Sequence, residues 1–162
     1  MQYVISSSDR TVKAMRGLSR FFSVILIAIQ PAFAQDQIEV TNAWINEAPP
    51  TVKVLSGYLT VKNNSGEVLN LTKAHSPLFE RIEFHLTSIK NGVASMHRQD
   101  TITIPAQSEF SFIPGNYHLM LFNPARAIKN GDKVSLTLIF SNGKNFNVEA
   151  GVRRDNPDTH HH

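Results

Sequence analysis

The stretch Glu80–Arg98, ERIEFHLTSIKNGVASMHR, decides the fold. Ile82, Phe84 and Leu86 alternate with Arg81, Glu83, His85 and Thr87, the period of two expected of a strand with one buried face. Asn91-Gly92 then separates two alternating runs, the strongest short hairpin signal, because both residues accept the positive φ of a type I′ turn. Read as a two-residue turn, it pairs Lys90 with Val93, sets Thr87 opposite Met96 and sets His85 opposite Arg98. Met96 becomes the diagonal neighbour of His85 on the same face, about 7–8 Å away. A three-residue turn would send Met96 to the other face.

The same pattern extends outward in both directions. Candidate strands are Ile38–Trp44, Gly57–Lys62, Leu69–Ala74, Glu80–Ile89, Val93–Arg98, Ile102–Ile104, Glu109–Phe112, Tyr117–Phe122, Lys133–Phe140 and Asn145–Val152. Pro114-Gly115, Asn130-Gly131 and Asn142-Gly143 mark turns between them. Short strands broken at this spacing, with no amphipathic helix, predict an all-β domain: an antiparallel Greek-key β-sandwich or barrel. Leu119 and Leu121 point inward, which sends His118 and Met120 outward. Val134, Leu136, Leu138 and Phe140 supply a further inward row, and Trp44, Tyr58 and Phe112 read as core aromatics. Thr41–Lys53, with Pro49-Pro50, reads as a surface loop.

Residues 1–34 read as a secretory signal peptide. Lys13, Arg16 and Arg20 precede an apolar run, Phe21–Ile29, that is far shorter than the roughly 20 residues needed to span a bilayer. Ala32-Phe33-Ala34 supplies the small-residue cleavage pattern, and the alternative is an uncleaved anchor. The chain holds 16 basic and 13 acidic residues, of which the leader takes four and one. The mature part therefore carries 12 of each and is neutral, which gives no support for nucleic acid or a membrane surface as partner. Residues 35–152 form one predicted domain, and 153–162 a flexible tail ending in histidine. There is no cysteine. Disulfide staples, thiolate metal sites, a cysteine nucleophile and a blue-copper centre are all excluded.

Methionine is ordinarily core filler. After the leader this chain has only two, Met96 and Met120, and both stand beside histidines in one spaced set: His85, ten residues, Met96, twenty-one residues, His118, one residue, Met120. His118 and Met120 leave one face of their strand roughly 7 Å apart at the backbone. Two imidazoles and two thioethers form a soft, neutral ligand set, and the first-row ion that suits it is Cu(I). Neutral ligands leave the ion's charge uncompensated, which favours passing it to anionic thiolates. Such a site binds and releases; it does not turn over a substrate.

This set resembles the signature of the periplasmic copper(I) chaperones of the PCuAC family, matched without a gap. Ala43-Trp44, Gly57–Asn63 (GYLTVKN), Arg81–His85 (RIEFH), Ile113–Leu121 (IPGNYHLML) and Gly131–Phe140 (GDKVSLTLIF) are similar too, so the likeness covers about residues 37–152. It departs from the family at Leu86, where relatives often carry a second methionine. The resemblance implies a cupredoxin-like fold in the periplasm. It also implies copper delivery to cytochrome c oxidase subunit II, at its dinuclear copper centre, often alongside a thioredoxin-like copper assembly factor.

Other residues carry weaker signals. His160, His161 and His162 would either capture Cu(II) or form a polar tail or tag remnant. His97 points away from Met96 in the register above, and His75 sits in a turn. Glu83 shares a face with His85 and either orients that imidazole from behind or is a solvated charge. The mature chain is expected to be monomeric and not membrane-inserted. Two alternatives stand beside the non-enzymatic chaperone: a copper-dependent periplasmic redox enzyme, and a metal-free β-sandwich interaction module.

Overall fold

The computed structural model describes residues 37–154. The expected leader and the terminal His160, His161 and His162 lie outside the described residues. Ten strands account for the described chain, and none of it is helical: β1 Ile38–Asn46, β2 Val54–Asn63, β3 Leu69–His75, β4 Phe79–Lys90, β5 Val93–Gln99, β6 Ile102–Ile104, β7 Ser108–Phe112, β8 Tyr117–Pro124, β9 Lys133–Phe140 and β10 Asn145–Arg153.

Hydrogen-bonded neighbours run β4–β8–β2–β1–β10–β9–β3, and a single pairing, Ala74 with Ile82, returns β3 to β4. The result is a closed seven-stranded barrel. Closure removes most free edges. β5 extends from β4, β6 from β3, and β7 continues alongside β2 where β8 leaves off. All pairs are antiparallel except β1 with β10, which run parallel through Trp44–Gly151, Ile45–Val152 and Asn46–Arg153. Nothing in the hydrophobic alternation specified that parallel seam.

The inward row is as the alternation requires. Ile82 and Phe84 of β4, Leu119 and Leu121 of β8, and Val134, Leu136, Leu138 and Phe140 of β9 are all buried together. Phe112 belongs to this cluster, but Trp44 and Tyr58 do not. They are cross-strand partners on the outer face, with ring centroids 4.5 Å apart, and the Arg153 guanidinium lies 3.9 Å above the Trp44 ring. The inward positions beside them belong to Ile45 and Leu59, so period two puts both aromatics outside.

The expected loop Thr41–Lys53 is corrected by β1, which continues to Asn46. A bulge between Thr41 and Trp44, with Asn42 at φ 53, re-aims the strand so that Ile45 enters the core. At the far end of β2, Asn63 is a fully buried polar residue. Its Nδ2 donates to the carbonyls of Glu67, Ile104 and Pro105, and its Oδ1 accepts from the backbone N–H and hydroxyl of Ser65. One side chain thereby satisfies the backbone of two adjoining loops.

Candidate metal centre

The Asn91-Gly92 turn closes the β4–β5 hairpin in the two-residue register, both residues having positive φ. Thr87 faces Met96, and His85 faces Arg98. On its other side β4 pairs with β8, and here the ladder sets His85 directly opposite His118 and Glu83 directly opposite Met120. Directly paired residues have Cβ atoms about 4.5–5.5 Å apart, and the two imidazole centroids are 6.0 Å apart. Three adjacent strands, β8, β4 and β5, thus carry all four spaced residues on one face.

That face is outward, yet the histidines are shielded. His118 is 5% exposed, and the His85 side chain 13%. Met120 is half-buried between Glu83 of β4 and Ser56 of β2. Met96 is different: it lies on the edge strand β5 and is 59% exposed. The site therefore has three sheltered members and one open one.

Each ring is anchored through one nitrogen. The turn Ile113–Asn116, closed by a bond from the Asn116 N–H to the Ile113 carbonyl, delivers the chain into β8. The Asn116 carbonyl then accepts from His118 Nδ1 at 3.0 Å and from the Thr87 N–H at 3.2 Å. His85 Nε2 lies 2.9 Å from Glu83 Oε2. The remaining nitrogen of that ring, His85 Nδ1, is buried and has no hydrogen-bond partner among the described residues. A buried, unsatisfied polar atom costs about 1–3 kcal/mol, a cost that a ligand on Nδ1 would relieve.

Glu83 is held by three neighbours. Besides His85, its Oε1 accepts from Arg81 Nε at 3.1 Å and meets Arg98 Nη1 at 3.5 Å. The His85 hydrogen bond, followed by that of Arg81 and the charges of Arg98 and Arg81, keeps its carboxyl below the usual carboxylate range against the opposing effect of burial. Both oxygens being engaged, Glu83 is an anion beside the site rather than a free ligand.

His97 faces Leu86 on the opposite side of the hairpin and contacts Ser95, and His75 is exposed at the end of β3. Among the described residues no group of three or more His, Cys, Asp or Glu side chains is placed to hold a metal. The sequence reading missed Asn116, because a backbone carbonyl leaves no side-chain signature. It also passed over Arg98, although the hairpin register already put that residue across from His85.

The LpqE-like family, described as "Putative lipoprotein LpqE-like", matches residues 38–152. The protein Lxx21020 of Leifsonia xyli subsp. xyli (strain CTCB07) is 30% identical over 124 residues, covering 76% of this chain and 74% of the relative. Among solved structures, the copper-bound PCuAC domain from PmoF2 superimposes with a TM-score of 0.63 at 21% identity, over 74% of this chain and 94% of that one. The solution structure of CuI-DR1885 from Deinococcus radiodurans gives 0.60 at 28% identity, over 76% and 83%. The barrel is the cupredoxin-like β fold of these domains. This chain belongs to the LpqE-like family, which is the PCuAC family.

Proposed function

We propose that this protein is a periplasmic metallochaperone that binds Cu(I) through His85, Met96, His118 and Met120 and releases it by ligand exchange. The observation that carries the reading is the union of those four residues on one face of β8, β4 and β5, with His85 Nδ1 buried and without a hydrogen-bond partner among the described residues. The donor set suits the ion: thioethers and imidazoles are soft neutral ligands, and Cu(I) has no d-shell geometry to violate. Copper-bound relatives support the same chemistry. The lipoprotein description of the family supports export, and among the described residues no helix is long and apolar enough to cross a membrane.

Transfer follows from unequal exposure. Met96 sits on an edge strand in solvent, whereas His85, His118 and Met120 are sheltered on the barrel wall. An acceptor's ligand displaces Met96 first and completes its own shell as the sheltered ligands let go. The acceptor in this reading is the dinuclear copper centre of cytochrome c oxidase subunit II, or a thioredoxin-like copper assembly factor serving it. Both offer anionic thiolates, which neutral donors cannot match. The terminal His160, His161 and His162 would serve as a separate Cu(II) capture site.

Anaerobic competition with a Cu(I) chelator tests the assignment. One tight Cu(I) per chain is expected, lost in a His118→Ala, Met120→Ala double variant that remains folded. Met96→Leu keeps the volume of the side chain and removes its sulfur. It should speed transfer to a thiolate acceptor while changing stability by less than about 0.5 kcal/mol, since the site is exposed. Undiminished affinity in the double variant would overturn the reading.

A further inference from the structure

We infer that Glu83 is a positioning residue that makes the two histidines present opposite ring nitrogens, His85 through Nδ1 and His118 through Nε2. This rests on the copper reading above and specifies the atoms that carry it out. The argument begins with donors and acceptors. A backbone carbonyl only accepts, so the 3.0 Å contact between His118 Nδ1 and the Asn116 oxygen requires the proton on Nδ1. The lone pair of a neutral His118 is therefore on Nε2.

His85 is fixed the other way round. Glu83 faces two guanidinium groups through Oε1, Arg81 Nε at 3.1 Å and Arg98 Nη1 at 3.5 Å, so its other oxygen meets His85 as an acceptor, and the 2.9 Å contact places the proton of His85 on Nε2. Its lone pair is on Nδ1, the same buried nitrogen that has no hydrogen-bond partner among the described residues. The two rings face one another across the β4–β8 ladder with 6.0 Å between centroids. Each is anchored through its protonated nitrogen, so both lone pairs are free at once. Outer hydrogen bonds of this kind orient ligating imidazoles, and their loss typically weakens metal affinity 10–100-fold.

The surroundings explain why Glu83 does not itself bind the ion. Its Oε2 is committed to His85, and its Oε1 to Arg81 and Arg98. Arg81 is further held by Glu80 and by the Phe122 ring, 3.8 Å from its guanidinium carbon. The carboxylate is thereby pinned behind the ring, 15% exposed, instead of rotating towards a cation. Arg98 reaches it from β5, the strand that also carries Met96, so one carboxylate ties the hairpin's open arm to the His85 ring.

Nitrogen-15 NMR of the full chain tests this, because protonated and bare imidazole nitrogens resonate far apart and Cu(I), with its filled d shell, is diamagnetic. Spectra are taken at mildly alkaline pH, where imidazoles are neutral. Without metal, His85 should show its proton on Nε2 and His118 on Nδ1. Adding Cu(I) anaerobically should move His85 Nδ1 and His118 Nε2 and leave the protonated nitrogens in place. Glu83→Leu should abolish the single tautomer of His85 in the metal-free protein and weaken Cu(I) binding roughly 10–100-fold. Glu83→Gln, whose amide oxygen still accepts, should keep the tautomer and most of the affinity.

If Cu(I) shifts His85 Nε2 instead, or Glu83→Leu leaves the ring's signature unchanged, the positioning role is wrong while copper binding survives. If Cu(I) moves neither imidazole, the copper reading itself fails. The wild-type titration decides the nitrogen assignment even where Glu83→Leu does not fold.

Discussion

Leu119→Ala separates the two faces of the strand that carries His118 and Met120. Leu119 is fully buried, between Phe84 on β4 and Gly57 on β2, and its neighbours along the strand point the opposite way. Buried Leu→Ala changes cost about 2–5 kcal/mol, more where the surroundings cannot collapse into the void. Here collapse is hindered. Both flanking positions are held in hydrogen-bonded ladders, and Gly57 has no side chain to lean inward. About 3–4 kcal/mol is expected, equivalent to a fall of roughly 10–18 °C in Tm for a domain of this size. Urea denaturation followed by far-ultraviolet circular dichroism measures it, with the slope m unchanged. Below the transition, Cu(I) affinity should stay within a few-fold of wild type, because His118 and Met120 keep their ladder partners. Met120→Ala should do the reverse: a half-buried thioether lost at a cost of about 1–2 kcal/mol, with a large loss of copper. A cost below about 1 kcal/mol for Leu119→Ala, or loss of copper with the fold intact, would refute the assignment of faces.

Asn63→Ala removes five hydrogen bonds from a fully buried position and strands loop carbonyls near Ile104 and Pro105, so a loss of about 3–4 kcal/mol is expected by urea titration. A loss under about 1.5 kcal/mol would show that water reaches those carbonyls unaided. Asp132 has a carboxyl lowered from 3.8 by the hydrogen bond from Arg126, then by the Lys129 N–H and the charges of Arg126 and Lys129, against the opposing effect of desolvation. A depressed folded-state pKa contributes stability above the unfolded value that fades as pH falls through the folded one. Asp132→Asn should therefore lower the urea midpoint at neutral pH, and the gap should close below pH 3.8. A gap that widened in acid would contradict the sign.

The local pattern made much of this legible. Alternation in β4 and the Asn91-Gly92 turn together fix which residue of β5 lies beside His85, since a two-residue connection leaves one register. Nothing comparable joins β4 to β8, which are separated by three other strands. The direct opposition of His85 and His118 is therefore a tertiary fact, fixed by matching two hydrophobic rows across the barrel. The parallel β1–β10 seam was invisible for the same reason. Trp44 and Tyr58 were misplaced because an aromatic was assumed to be core, when the strand's own period of two already put Ile45 and Leu59 there. Asn63 escaped notice because a lone amide at a strand's end reads as a turn residue until three carbonyls are found around it.

The barrel is fastened unevenly around its circumference. β3 meets β4 at the single pair Ala74–Ile82, whereas β4 and β8 are laced together from Phe79–Pro124 to Leu86–Tyr117. Thermal breathing would begin by unzipping the narrow side. The wall holding both imidazoles would then swing as one plank, keeping their mutual spacing while the cylinder gapes. For the copper carrier proposed above, that asymmetry would be useful against a recipient: the hinge yields and the jaws do not.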